Sequence, residues 1–66
     1  MTNYILIRKG KEYQVITYNY ERFTFDYRYM RHNQVKRILK ADKDATIENP
    51  YKDTQIKTLE YIVKKN

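Results

Sequence analysis

From Arg22 to Tyr29 the sequence alternates strictly between polar and aromatic residues, which is the pattern of a β-strand. Successive side chains of a strand point to opposite faces, so the aromatic residues share one face and the polar residues share the other. A helix is less favoured, because aromatic residues and threonine are mediocre helix formers. We predict a strand at about 22–30, with an aromatic row that consists of Phe23, Phe25, Tyr27 and Tyr29.

Two other runs rich in β-branched and aromatic residues precede this strand, and a turn containing Gly10 separates them. This arrangement predicts a β-hairpin with strands at about 4–8 and 12–18. Its register stays open. A two-residue loop at Lys9-Gly10 places Leu6 opposite Tyr13. A three-residue loop with a bulge at Gly10 places Ile5 there instead, and groups on one face Ile5, Ile7, Tyr13 and Val15.

After the third strand the hydrophobic spacing changes from two to three and four. Asn33 is a suitable helix cap, and Val35, Ile38 and Leu39 follow at helical spacing, so we predict a helix at about 33–42. The chain then connects through Ala45 to Pro50, with room for a short strand at 46–48.

The C-terminal segment also has helical spacing. Asp53 or Thr54 can cap a helix at about 53–64, and lysines follow where they favour the C-terminal helix dipole. A strand stays open as an alternative, because Leu59, Tyr61 and Val63 also alternate. The fold class predicted is α+β, a three-stranded antiparallel meander followed by two helices, in a single small domain that covers 1–66.

The net charge is unevenly distributed. The 66 residues contain 14 Lys and Arg against 8 Asp and Glu, a net charge of +6. Residues 1–40 contain nine basic and three acidic residues, whereas 41–66 contain five of each. All of the arginines, both phenylalanines and six of the eight tyrosines also lie in 1–40. The predicted sheet and first helix therefore form a basic, aromatic half, and the C-terminal half is neutral.

Several classes of function are excluded by composition. The chain has no Cys, no Ser, one His and one Gly, so it has no disulfide, thiol nucleophile, cysteine zinc site, serine triad or glycine-rich phosphate loop. We expect no cofactor, no metal site and no enzyme activity. His32, next to Arg31, is the one candidate for acid–base chemistry, in a small ribonuclease, although it is also suited to a turn without chemistry.

The expected location is the cytoplasm. No apolar run is long enough to span a membrane, and Met1-Thr2-Asn3 does not begin a signal peptide. The basic residues are spread over strands and loops rather than gathered on one amphipathic helix, so we expect no membrane partner.

What remains is binding. Arginine suits phosphate, and aromatic rings provide stacking surfaces for bases, so we predict nucleic-acid binding by the sheet and first helix. The same composition is typical of protein interfaces. The alternative is therefore a small phage-like inhibitor or accessory factor that docks on an acidic or nucleoprotein partner. A homodimer would also supply burial that so short a chain lacks. The candidate binding residues are Arg8, Lys9, Lys11, Tyr18, Tyr20, Arg22, Arg28, Tyr29, Arg31, Lys36, Arg37 and Lys40.

The aromatic row has two interpretations. It can be a stacking platform, but we expect it to be the core, with Phe23 and Phe25 buried and Tyr29 near an edge, because a small chain needs its rings inside. The opposite face would then be exposed to solvent, and it would consist of Arg22, Thr24, Asp26 and Arg28.

The order of segments from Lys11 to Ala41 is a Tyr-Gln-Val-Ile strand, an aromatic strand and a Lys-rich helix. This order resembles the small DNA-binding domain at the start of some phage and transposon integrases, whose sheet binds DNA. The size, first hairpin and terminal helix are also similar to small archaeal chromatin proteins. Those are richer in glycine and use an exposed tryptophan, which this chain lacks. Both resemblances concern architecture alone.

Overall fold

A computed structural model describes residues 2–65. It shows a mixed four-stranded sheet in the order β3-β2-β1-β4, in which β2 pairs antiparallel with both neighbours and β4 pairs parallel with β1. The predicted α+β meander followed by two helices is confirmed, and a short fourth strand completes the sheet. The elements are β1 (Thr2–Lys9), β2 (Glu12–Asn19), β3 (Thr24–Arg31), α1 (His32–Ala41), β4 (Thr46–Glu48) and α2 (Thr54–Lys64).

The β1–β2 turn consists of Gly10 and Lys11, and it makes both registers considered above wrong. Lys9 lies opposite Glu12 and Arg8 lies opposite Tyr13. Gly10 has a φ of 62°, while Lys11 is not in the positive-φ region, which is the pattern of a type II′ hairpin turn. The glycine therefore takes the first turn position, where a positive φ is required. The loop begins one residue later than in the two-residue register and two residues later than in the three-residue register.

The β2–β3 turn is held by a side chain. The Oδ1 atom of Asn19 accepts hydrogen bonds from the backbone N–H groups of Glu21 and Arg22, each 3.0 Å long. Phe23 follows with a φ of 54°, which a bulky residue rarely adopts. The strand consequently begins at Thr24, two residues after the start of the alternating pattern.

Strand β3 passes directly into α1, so the helix begins at His32 with Arg31 as its N-cap. The predicted cap at Asn33 is wrong, because Arg31 keeps an extended backbone and the Oε1 atom of Gln34 accepts its N–H at 3.1 Å. At α2 one of the two predicted caps, Asp53, is confirmed. Asp53 Oδ1 accepts the N–H groups of Gln55 and Ile56 at 2.9 and 3.4 Å, and the helical alternative for this segment is the correct one.

Both helices pack on one face of the sheet, called here the helix-covered face. Directly opposite residues of neighbouring strands share a face, so Leu6 and Val15 lie together on it. Grouping Ile5 and Ile7 with Val15 is therefore wrong. The core is completed by residues of both helices, and its fully buried or nearly buried members are Tyr4, Leu6, Tyr13, Val15, Val35, Leu39, Ile56 and Leu59.

Candidate functional site

The other face of the sheet, called here the open face, has no helix packed on it within residues 2–65. The strand register places alternate residues of all four strands there. The apolar members are Ile5, Ile7, Ile16, Tyr18, Phe25, Tyr27 and Tyr29, of which the isoleucines and Tyr18 are half-buried. Soluble monomers rarely expose a contiguous apolar patch of this kind unless it binds something. The open face is therefore the candidate site.

The aromatic row lies in solvent, which corrects the expectation that it forms the core. Phe23 is 80% exposed, Phe25 70%, Tyr27 54% and Tyr29 52%. The reason is the register. Tyr13 and Val15 occupy the helix-covered face of β2, so the residues of β3 opposite them, Met30 and Arg28, lie on that same side of the sheet, and the aromatic row faces away.

The rings on this face contact one another. Tyr18 lies 5.1 Å from Phe25 and 4.6 Å from Tyr20, measured between ring centroids. Tyr27 and Tyr29 lie edge to face at 5.6 Å, and their hydroxyl oxygens are 3.0 Å apart. The hydrogen bond with Tyr29 is the main cause that raises the pKa of Tyr27. Edge-to-face pairs leave one ring of each pair with an accessible face, which a flat ligand could stack on.

The charged residues on the open face cancel. Lys9 and Arg31 flank Glu12 in one row across three strands, and Glu48 lies opposite Ile5 on β4. Two cations and two carboxylates therefore share this face. The excess positive charge of the chain lies at its margins and on the helices.

The structure divides the predicted binding residues between several surfaces. Lys9, Tyr18, Tyr29 and Arg31 lie on the open face. Three more lie in the turns at its two ends: Lys11 in the β1–β2 turn, and Tyr20 and Arg22 in the β2–β3 turn.

Two predicted arginines are on the opposite side and already have acidic partners. The Nε atom of Arg8 lies 2.8 Å from Asp53 Oδ2, and the Nε atom of Arg28 lies 2.8 Å from Asp26 Oδ2. The second pair is the more exposed, with 65% of the Arg28 side chain accessible, because β3 is an edge strand that the helices do not cover at this point.

The basic residues of α1 are separated from the aromatic rings by the thickness of the molecule. Val35 and Leu39 are buried against the sheet, so the helix turns its other side to solvent. Arg37 and Lys40 are exposed there and Lys36 is half-buried. A flat ligand on the open face does not reach them.

His32 is held by a structural contact at the start of α1. Its Nδ1 atom lies 3.2 Å from the hydroxyl of Tyr13, and the two rings are 5.9 Å apart. Burial is the largest cause that raises the pKa of Tyr13, while Arg8 lowers it and Asp53 raises it. No group of three or more potential metal ligands occurs among residues 2–65.

Phe25 and Tyr27 are the site residues that sequence reasoning assigned elsewhere. The signal that could have placed them was the length of the β2–β3 turn. The turn leaves Asn19 opposite Thr24, so the odd-numbered residues of β3 lie on the face away from Tyr13 and Val15.

Comparison with known proteins gives no further guide, since no family model, curated protein or solved structure matches the chain. Neither described helix is long and apolar enough to cross a membrane. The case for a function therefore depends on the geometry and charge of the surface.

Proposed function

We propose that the chain is a non-enzymatic cytoplasmic module that binds single-stranded nucleic acid on the open face of its sheet. The observation that carries the proposal is the exposed row of Phe25, Tyr27 and Tyr29 on an uncovered sheet, in a chain of net charge +6. Base stacking on such rings is tolerant of sequence and adds about 1–3 kcal/mol for each base.

The spacing of the rings favours a single strand over a duplex. Alternate residues of a strand are about 6.8 Å apart, twice the rise per residue. Bases in a duplex repeat about every 3.4 Å along each strand, so they are too close to meet successive rings one by one. An extended single strand can separate its bases, and a strand along β3 would present about four nucleotides to this face.

Cations are placed at both ends of this row. Arg31 and Lys9 lie at the end near the β1–β2 turn, and Arg22 lies in the turn that precedes β3. An extended strand along β3 would thus find guanidinium or ammonium groups near its first and last phosphates. The net charge of the whole chain would also speed its approach.

The proposal is tested by the affinity of a labelled oligonucleotide at increasing salt. Three phosphate contacts on a single strand predict a slope of about −2 in a plot of log affinity against log salt concentration. A duplex of the same sequence should bind more weakly. Tyr27→Ala should weaken binding about 5- to 150-fold, the loss of one stacked base.

Tyr61→Ala is the matched control, because Tyr61 is 66% exposed but lies on α2. It should leave the affinity unchanged. Absence of binding at low salt, a preference for duplex, or equal losses from the two alanine variants would contradict the proposal.

A protein partner is the second candidate, and two observations favour it. Ile5, Ile7 and Ile16 add aliphatic surface that bases do not need, and the charges of the open face cancel. Tyrosine-rich apolar patches of this type are common at interfaces. Capture from the native cell after nuclease treatment separates the candidates, since a stoichiometric protein partner that survives nuclease supports this one.

A further inference from the structure

Strand β3 forms a free edge of the sheet, because within residues 2–65 it pairs with β2 on one side and with no strand on the other. The two-residue β1–β2 turn makes Lys9 and Glu12 a hydrogen-bonded pair, and pairs alternate from there along an antiparallel ladder. The even-numbered residues of β2 therefore bond to β1, and the odd-numbered ones bond to β3. Through the β2–β3 register, the backbone groups of Phe25, Tyr27 and Tyr29 point outward.

Two hydrogen bonds agree with this assignment. The N–H of Tyr27 donates to the side chain of Asp26 at 3.0 Å, and the N–H of Arg31 donates to the side chain of Gln34 at 3.1 Å. Both amides thus find partners outside the ladder. A row of outward backbone groups on an eight-residue strand is a template for another strand.

We propose that β3 pairs antiparallel with β3 of a second copy of this chain, with Tyr27 on the two-fold axis. In this register the outward pairs are Tyr27 with Tyr27, and Phe25 with Tyr29. Each pair exchanges two backbone hydrogen bonds, about six in all. On the other face, Asp26 lies opposite Arg28 of the second copy, and Arg28 lies opposite its Asp26.

Charge selects this register over its neighbours. Sliding the strands by two residues one way brings Asp26 opposite Asp26, and sliding them the other way brings Arg28 opposite Arg28. Like charges directly opposite are unfavourable, whereas opposite charges and aromatic pairs are favourable. The central register alone satisfies the charges, the rings and the backbone groups together.

The isolated chain already uses the same groups to cover its edge. One oxygen of Asp26 accepts the Tyr27 N–H and the other holds Arg28 at 2.8 Å. When two copies pair, the Tyr27 N–H donates to a backbone carbonyl of the second copy instead of to Asp26. Asp26 then pairs with Arg28 of the second copy instead of with its own Arg28. The product is a continuous eight-stranded sheet whose two open faces lie side by side.

The first test is sedimentation of the purified, nucleic-acid-free chain from micromolar to millimolar concentration. We expect a reversible dimer, whether or not the open face binds nucleic acid. Asp26→Arg and Arg28→Asp each place like charges opposite one another, so each should raise the dimer Kd at least about tenfold. The double variant restores opposite charges and should recover dimerisation. If the single substitutions acted only by removing a native contact, the double variant would not recover it. Circular dichroism checks that the variants remain folded.

The second test fixes the register by cross-linking, since the natural chain has no cysteine. Directly opposite hydrogen-bonded residues have Cα atoms about 5.5 Å apart, within disulfide range. Tyr27→Cys should form a covalent dimer on oxidation, while Phe25→Cys alone should not, because it faces Tyr29. Mixing Phe25→Cys with Tyr29→Cys should form a heterodimer. A monomer at all concentrations, a dimer indifferent to charge reversal, or equal cross-linking of Phe25→Cys and Tyr27→Cys would overturn the proposal.

Discussion

Arg8 and Asp53 join the end of the first strand to the start of the last helix. The Arg8 Nε atom lies 2.8 Å from one carboxylate oxygen of Asp53, while the other oxygen accepts the N–H groups of Gln55 and Ile56. One side chain thus caps α2 and ties it to β1, although the two residues are 45 positions apart. The hydrogen bond from Arg8 is the largest cause that holds the pKa of Asp53 below its ordinary value, against a smaller opposing effect of burial.

Asp53 should therefore make stability fall in acid. A lowered pKa in the folded state means that the contribution is complete above the ordinary value of 3.8 and is lost as pH falls through the lowered value. Asp53→Asn keeps a cap but lacks the charge, and Asp53→Ala lacks both. Urea unfolding at about pH 6 should rank natural chain, Asn variant and Ala variant in decreasing stability.

In acid the difference in free energy of unfolding between the natural chain and Asp53→Asn should become smaller. Arg8→Gln is the matching variant on β1 and should reduce the same pH dependence. Equal stability of the natural chain and Asp53→Asn at about pH 6 would show that the ion pair adds nothing.

The core and the open face should respond differently to truncation. Leu59 is fully buried, so Leu59→Ala should cost about 2–5 kcal/mol, enough to bring a small domain close to unfolding. Phe25→Ala should cost no more than about 0.5 kcal/mol, because its ring is 70% exposed. Urea denaturation followed by circular dichroism measures both. A larger loss for Phe25→Ala would place its ring inside the fold.

The contrast between these two residues shows how far the sequence could predict the structure. Periodicity located all three long strands and both helices, because period two and period 3.6 are local properties. Which face of β3 is buried is not local. It depends on the register of β3 on β2, and a shift of that register by one residue would bring the aromatic row to the helix-covered face. The two phenylalanines suggested a core for a chain this small, but the core is filled by tyrosine and aliphatic residues of β1 and β2 and by aliphatic residues of the helices.

Prediction of the charged surfaces from the sequence had the same limitation. Sequence located the excess charge within residues 1–40 but not its direction in space. Arg28 and Arg31 are three residues apart on one strand, so they point to opposite faces. Arg37 then lies on the solvent side of the helix layer.

Phe23 should be a site of strain. Its φ of 54° is unfavourable for a bulky residue, and its ring is 80% exposed and so gains little by packing. Asparagine tolerates this backbone conformation, so Phe23→Asn should stabilise the fold by about 0.5–1 kcal/mol. Thermal unfolding measures the gain. The same substitution removes a ring at the end of the aromatic row, so we also expect a loss of oligonucleotide affinity. A gain in stability together with that loss would show that the strain serves binding. Destabilisation by Phe23→Asn would show that the ring packs in the turn.

Charge reversal should distinguish a cation of the open face from a cation of the helix layer. Arg31→Glu on the open face should weaken oligonucleotide binding at least about tenfold and make the salt dependence shallower. Arg37→Glu changes the net charge equally but lies on the solvent side of α1. Arg37→Glu should act only through the electrostatic field of the whole chain, so it should reduce the oligonucleotide affinity much less. Equal losses for the two variants, measured at the same ionic strength, would indicate that long-range attraction dominates and that the open face has no special role.

Tyr4 should make the fold sensitive to alkali. Its hydroxyl donates to Asp42 at 3.2 Å, and its pKa is raised first by burial and then by the neighbouring Asp42 carboxylate. A raised pKa in the folded state means that the contribution is complete below the ordinary value of 10.0 and is lost as pH rises through the raised value. Tyrosinate absorbance should thus show a late ionisation that coincides with loss of helical circular dichroism. In Tyr4→Phe that late step should be absent and alkaline unfolding should move to higher pH. If Tyr4→Phe unfolded at the same alkaline pH as the natural chain, ionisation of Tyr4 would not be what limits the fold in alkali.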